Sequence, residues 1–101
     1  MPADRAERAF LAFQTELARE RAAALGRAGR RLEEHLEECR RLAASLRAGG
    51  DGVPAPEVRR RYRAARAAAE EARWALCVQR EALGLADHRW VDRIYPLPPP
   101  L

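Results

Sequence analysis

Ala48-Gly49-Gly50-Asp51-Gly52-Val53-Pro54-Ala55-Pro56 interrupts a chain that otherwise reads as helix. Three glycines, an aspartate and two prolines in so short a stretch break any helix that enters it. Heptad patterns run on both sides. Before the break, positions 11, 18, 25, 32, 39 and 46 are Leu, Ala, Leu, Leu, Cys and Leu, and positions 15, 22, 29, 36 and 43 are Thr, Ala, Gly, Leu and Ala. After it, positions 58, 65, 72, 79 and 86 are Val, Ala, Ala, Gln and Ala, and positions 62, 69, 76, 83 and 90 are Tyr, Ala, Leu, Leu and Trp. Two heptad helices joined by a short loop become antiparallel neighbours. The expected fold is all-α: a long, coiled-coil-like antiparallel helical hairpin, with a short third helix and an extended proline-rich C-terminal tail.

The loop also sets the register. If Leu46 faces Val58, then Leu36 meets Ala69, Leu32 meets Ala72, Gly29 meets Leu76 and Ala22 meets Leu83. Large residues oppose small ones, as close packing requires. Gly29 is then explained by close helix approach, whereas Gly26 is left without a reason; each costs about 1 kcal/mol against Ala inside a helix.

Local signals place the boundaries. Asp4 suits the N-cap of a first helix over about 4–47, with Glu7 three residues on. Pro56 suits the first turn of a second helix over about 56–83, after a loop at 48–55. Gly84 supplies the left-handed residue that ends it. Asp87 can cap a short helix over about 87–94. Residues 1–95 thus form one domain, and Pro96-Leu97-Pro98-Pro99-Pro100-Leu101 follows as polyproline II.

Composition sets the limits on function. Ala, Arg, Leu and Glu (22, 19, 12 and 11 residues) fill 64 of the 101 positions, and Lys and Asn are absent. That bias favours long helices, and it also fits a GC-rich bacterial genome. The net charge of +4 permits a polyanion partner without demanding one. No apolar run reaches the length of a membrane span, and Asp4, Arg5, Glu7 and Arg8 interrupt any secretory signal at the start. The expectation is a soluble, cytoplasmic protein with no membrane contact.

The register leaves residues 5–20 of the first helix without a partner, because the second helix ends opposite Ala22. That overhang carries Phe10, Leu11, Phe13 and Leu17. Such a patch marks an interface, and a lone hairpin buries little core. The third helix is expected to fold back over it, bringing Trp90 and Ile94 near Thr15 and Leu11, and a second copy is expected to add to the cover in a homodimer. Trp74 and Val78 lie off the seam, four residues apart, as further dimer contacts. Trp90, Ile94 and Tyr95 are candidate anchors for an unidentified protein partner.

Catalysis and metal binding find little support. The chain has one Ser, one Thr and two His, with no nucleophile–base spacing and no phosphate loop. His35 and Cys39 share a helix face near Glu70 and Glu71, but no Glu-x-x-His or Cys-x-x-Cys pattern accompanies them. The Glu33–Glu38 run reads as a solvated face with ion pairs from Glu37 to Arg41 and Arg30 to Glu34. No cofactor is implied. Cys39 and Cys77 sit too far apart along the hairpin to bridge, and Cys39, on the seam, reads as a small buried hydrophobe.

Arginines gather beside the loop. Arg40, Arg41 and Arg47 end the first helix, and Arg59, Arg60, Arg61, Arg63 and Arg66 begin the second. Arg59, Arg63 and Arg66 share a face, and cations at a helix start oppose the dipole. The alternative to a protein-interaction or scaffold role is therefore nucleic-acid or polyanion binding through Arg40, Arg41, Arg59, Arg60, Arg63 and Arg66. In size and hairpin form the chain resembles the small secreted helical-hairpin proteins whose turn carries Trp-x-Gly. This loop has no Trp, so their function does not carry over. Small secretion-system chaperones are similar only in size and helicity.

Overall fold

A computed structural model describes residues 4–49 and 52–101; Gly50 and Asp51 of the loop lie outside the described residues. Three helices follow in order: α1 (Arg5–Arg47), α2 (Ala55–Ala82) and α3 (Arg89–Ile94). No strand occurs among the described residues. α1 and α2 form the expected hairpin, an elongated body of 72 × 26 × 15 Å.

The ends form where local chemistry puts them. Asp4 caps α1 by accepting a hydrogen bond from the Glu7 N–H at 2.7 Å, which satisfies one of the orphan donors of the first turn. α2 opens with Pro56 in its first turn, where the missing N–H is harmless. It closes in a Schellman motif: the Leu85 N–H donates to the Arg80 carbonyl and the Gly84 N–H to the Glu81 carbonyl, both at 2.9 Å. Gly84 has φ +81°, a conformation that costs other residues energy. α3 begins two residues later than expected. Asp87 does accept from the Arg89 N–H at 3.0 Å, but as a turn ahead of the helix rather than as its N-cap.

The seam between α1 and α2 holds two apolar clusters. Nearer the loop, Cys39, Leu42, Val58, Tyr62 and Ala65 pack together, with Leu46 at the edge. Further along, Ala28, Leu32 and Leu36 pack with Ala69, Ala72, Leu76 and Cys77. The pairings of Leu36 with Ala69 and Leu32 with Ala72 are consistent with this. On α2 the buried positions 58, 62, 65, 69, 72 and 76 follow the heptad, and Cys77, one residue off it, is buried beside them. On α1 the buried stripe also takes in Ala28 and Leu42, beside the half-buried Gly29 and Ala43. A straight helix drifts about 20° per heptad, so the contact line slides onto the neighbouring residue.

α3 does not cover the start of α1. The turn at Gly84 sends the chain back along the hairpin toward the loop, and Val91 enters the second cluster fully buried. Tyr95 donates a hydrogen bond from its hydroxyl to Glu33 at 2.8 Å. Ile94 lies beside Glu34, Glu37 and Arg40, several turns from Leu11. The reason is geometric: α2 ends level with residues 22–24 of α1, so a chain that reverses there returns over the paired part of the hairpin. Close approach of α2 does not account for Gly29: within 4 Å an added Cβ would meet no atom of α2, only the Tyr95 hydroxyl at 4.0 Å.

Candidate functional site

Phe10, Leu11 and Phe13 are 59–61 % exposed. Leu17 is half-buried, at a cleft whose far wall is Gln79, on the last full turn of α2. Phe10 and Leu17 continue the stripe of α1 that faces α2 further along, stacking with Ala28 on one side of the helix at near-integral numbers of turns, while Leu11 and Phe13 flank that stripe on opposite sides. The overhang is a seam whose second helix is missing. Thr15 does not meet α3; its hydroxyl donates to the Leu11 carbonyl of its own helix at 3.0 Å.

The α3 segment forms a second surface. Trp90, half-exposed, meets Tyr95 edge to face, with ring centroids 6.3 Å apart. The Arg80 guanidinium sits over the Trp90 ring at 5.4 Å, an attractive arrangement for a cation. Tyr95 is tied down: its bond to Glu33 pushes its hydroxyl pKa up, helped by partial burial. Arg73 on α2 binds Asp92 through Nε at 3.0 Å, which fixes α3 from its other side. Trp90 and Ile94 thus stay available to a partner, whereas Tyr95 serves the chain's own packing. Arg80 and Arg73 carry no signal in the sequence, and Glu33 reads there only as part of a solvated run, because their partners are remote along the chain.

Trp74 is 68 % exposed, and Val78, one turn on, is also exposed. They lie on the outside of α2, as their off-seam positions require.

Ion pairs with four carboxylates engage five of the eight arginines beside the loop. Arg40 pairs with Glu37 at 2.7 Å and Arg41 with Glu38 at 2.6 Å. These i,i+3 pairs replace the expected one from Glu37 to Arg41. Arg60 and Arg61 both hold Glu57, at 2.6 and 3.0 Å. The Arg60 hydrogen bond, then that of Arg61, brings the Glu57 carboxyl down to about 2. Arg66 is turned away from its face-mates, held by Glu70 and by the Pro98 carbonyl. Among the described residues, Arg59 and Arg63 form no ion pair.

Cys39 and Cys77 are buried and lie in different clusters. Burial pushes the Cys39 thiol up, which lowers its reactivity. His35 shares a shallow cleft with Glu71, while Glu70 is engaged by Arg66. Among the described residues, no three His, Cys, Asp or Glu side chains converge as metal ligands would. No helix there is long and apolar enough to cross a membrane. No protein-family model matches the chain, and no curated protein or solved structure matches it either.

Proposed function

We propose that the protein is a non-enzymatic interaction module that works as a homodimer, paired through the overhanging start of α1. The observation that carries this reading is the exposure of Phe10, with Leu11 and Phe13 on either flank of it, along a seam that α2 is too short to cover. An antiparallel second copy fits the gap. With the two-fold axis near Gln14, Leu11 meets Leu17 of the second copy and Phe10 meets its Ala18. Glu7 comes opposite Arg21 of the second copy, so the charges at the ends of the pairing complement as well. The paired segment spans about 24 Å at 1.5 Å per residue. A two-fold interface of this kind is closed and self-limiting. The hairpin arms, with Trp74, Val78, Trp90 and Ile94 outward, then present two copies of each face to a protein partner.

The test is sedimentation or light scattering at tens of micromolar, on the wild type and on Phe10→Asp/Phe13→Asp. The wild type is expected as a dimer and the variant as a monomer with unchanged helix content. A wild-type monomer overturns the reading. Polyanion binding has weaker support, since ion pairs occupy most of the arginines beside the loop. It predicts nucleic-acid affinity at low salt that falls on Arg59→Ala/Arg63→Ala.

A further inference from the structure

The proline tail lies along α2 in an extended conformation, and two side chains of α2 hold it by its carbonyls. The Arg66 Nε donates to the Pro98 carbonyl at 2.7 Å, and the Tyr62 hydroxyl donates to the Pro99 carbonyl at 2.6 Å. Leu97, just before them, packs against the cluster around Val91. The two donors sit four residues apart on one helix face and meet consecutive carbonyls. Both are rigidly placed. Tyr62 is 2 % exposed, and the Arg66 side chain is tethered by Glu70.

We infer that this groove is a binding site for extended proline-rich peptides, occupied by the chain's own residues 96–101. Three features set its ligand class. The groove supplies donors, and a run of prolines presents acceptors only, with no N–H groups left over to bury. Polyproline II is already ordered, so little entropy is lost on docking. A single apolar side chain ahead of the prolines fills the remaining contact, as Leu97 does. None of these features requires that the peptide be joined to α3. A short covalent link simply gives the resident tail an effective concentration of roughly millimolar order. A proline-rich segment of another protein, apolar residue first, would compete for the same donors. The site is separate from the overhang of α1 and stands whether or not the protein dimerises.

The test uses the full-length chain. Leu97→Asp/Pro99→Gly weakens the resident tail while leaving Tyr62 and Arg66 in place. A labelled peptide with the sequence of residues 95–101 is titrated against both proteins, with binding read by fluorescence anisotropy. It is expected to bind the variant saturably and at least about tenfold more tightly than the wild type, which its own tail blocks. Adding Tyr62→Phe and Arg66→Gln to the variant is expected to weaken binding about tenfold or more, since it removes the phenolic and guanidinium donors to the two tail carbonyls. An alanine-for-proline peptide is expected not to bind. Should the double variant fail to fold by circular dichroism, Pro99→Gly alone takes its place, because Pro99 is exposed and outside both clusters. A folded variant that ignores the peptide, equal binding to variant and wild type, or binding indifferent to Tyr62 and Arg66 overturns the inference.

Discussion

Val91→Ala is expected to release α3 without unfolding the hairpin. Val91 is the one residue of α3 that is fully buried, set among Leu32, Leu36, Leu76 and Cys77. Truncation removes two methyl groups, worth about 0.8 kcal/mol each. The void left between the helices adds to this, for a total of about 2 kcal/mol. α3 has only six residues, far too few to be helical alone. Its other ties are the Tyr95–Glu33 hydrogen bond, the Arg73–Asp92 ion pair and the Arg80 guanidinium over the Trp90 ring. The first two reach exposed carboxylates and the third a half-exposed ring, so each contributes little. Losing about 2 kcal/mol should therefore raise the population of undocked α3 about 30-fold. The assay is native-state hydrogen exchange. The Tyr95 N–H, bonded to the Val91 carbonyl at 2.8 Å, reports on α3. Its exchange should accelerate about 30-fold, while that of amides around Leu32 and Ala69 stays close to wild type. Equal acceleration at both places would show that α3 and the hairpin open as one unit. Unchanged protection at Tyr95 would show that Val91 does not anchor the helix. Either result refutes the reasoning.

Two further outcomes follow from local geometry. Gly26→Ala should stabilise the protein by about 0.5–1 kcal/mol, because a Cβ there meets only the flexible end of Arg30 at 3.4 Å while the helix gains propensity; thermal melting checks it, and a lowered midpoint counts against it. Glu57, held at about 2 against an ordinary 4.5, should lend stability that is complete above pH 4.5 and disappears as pH falls through about 2; a carboxyl carbon titration with its midpoint near 4.5 in the folded protein rules this out.

The hairpin and its register were legible because heptad period and loop length are local constraints. Once Leu46 is set against Val58, each later pairing follows from constant rise, and Leu32 and Leu36 fall opposite alanines. The unpaired start of α1 was legible for the same reason: the two helices differ in length, so Phe10 and Phe13 have nothing opposite them. Position within the stripe was less legible, since the drift of a straight helix against the heptad brought in Ala28 and Leu42. Which arginine each glutamate takes was less legible, because partners three and four residues away compete on one helix: Glu37 holds Arg40 and Glu38 holds Arg41.

Local signals and helical period thus set where α1 and α2 start and stop, which of their faces meet, and which apolar end stays uncovered. All of these depend on neighbours in the chain and on helical periodicity. Only the tertiary structure decided where the residues after Gly84 go. The reversal there aims α3 back along the hairpin, and a groove of the right depth takes Val91. Tyr95 is thereby placed against Glu33, and the tail is laid across Tyr62 and Arg66. Those contacts join residues that are tens of positions apart and belong to no repeat, so only the assembled surface of the two long helices selects them.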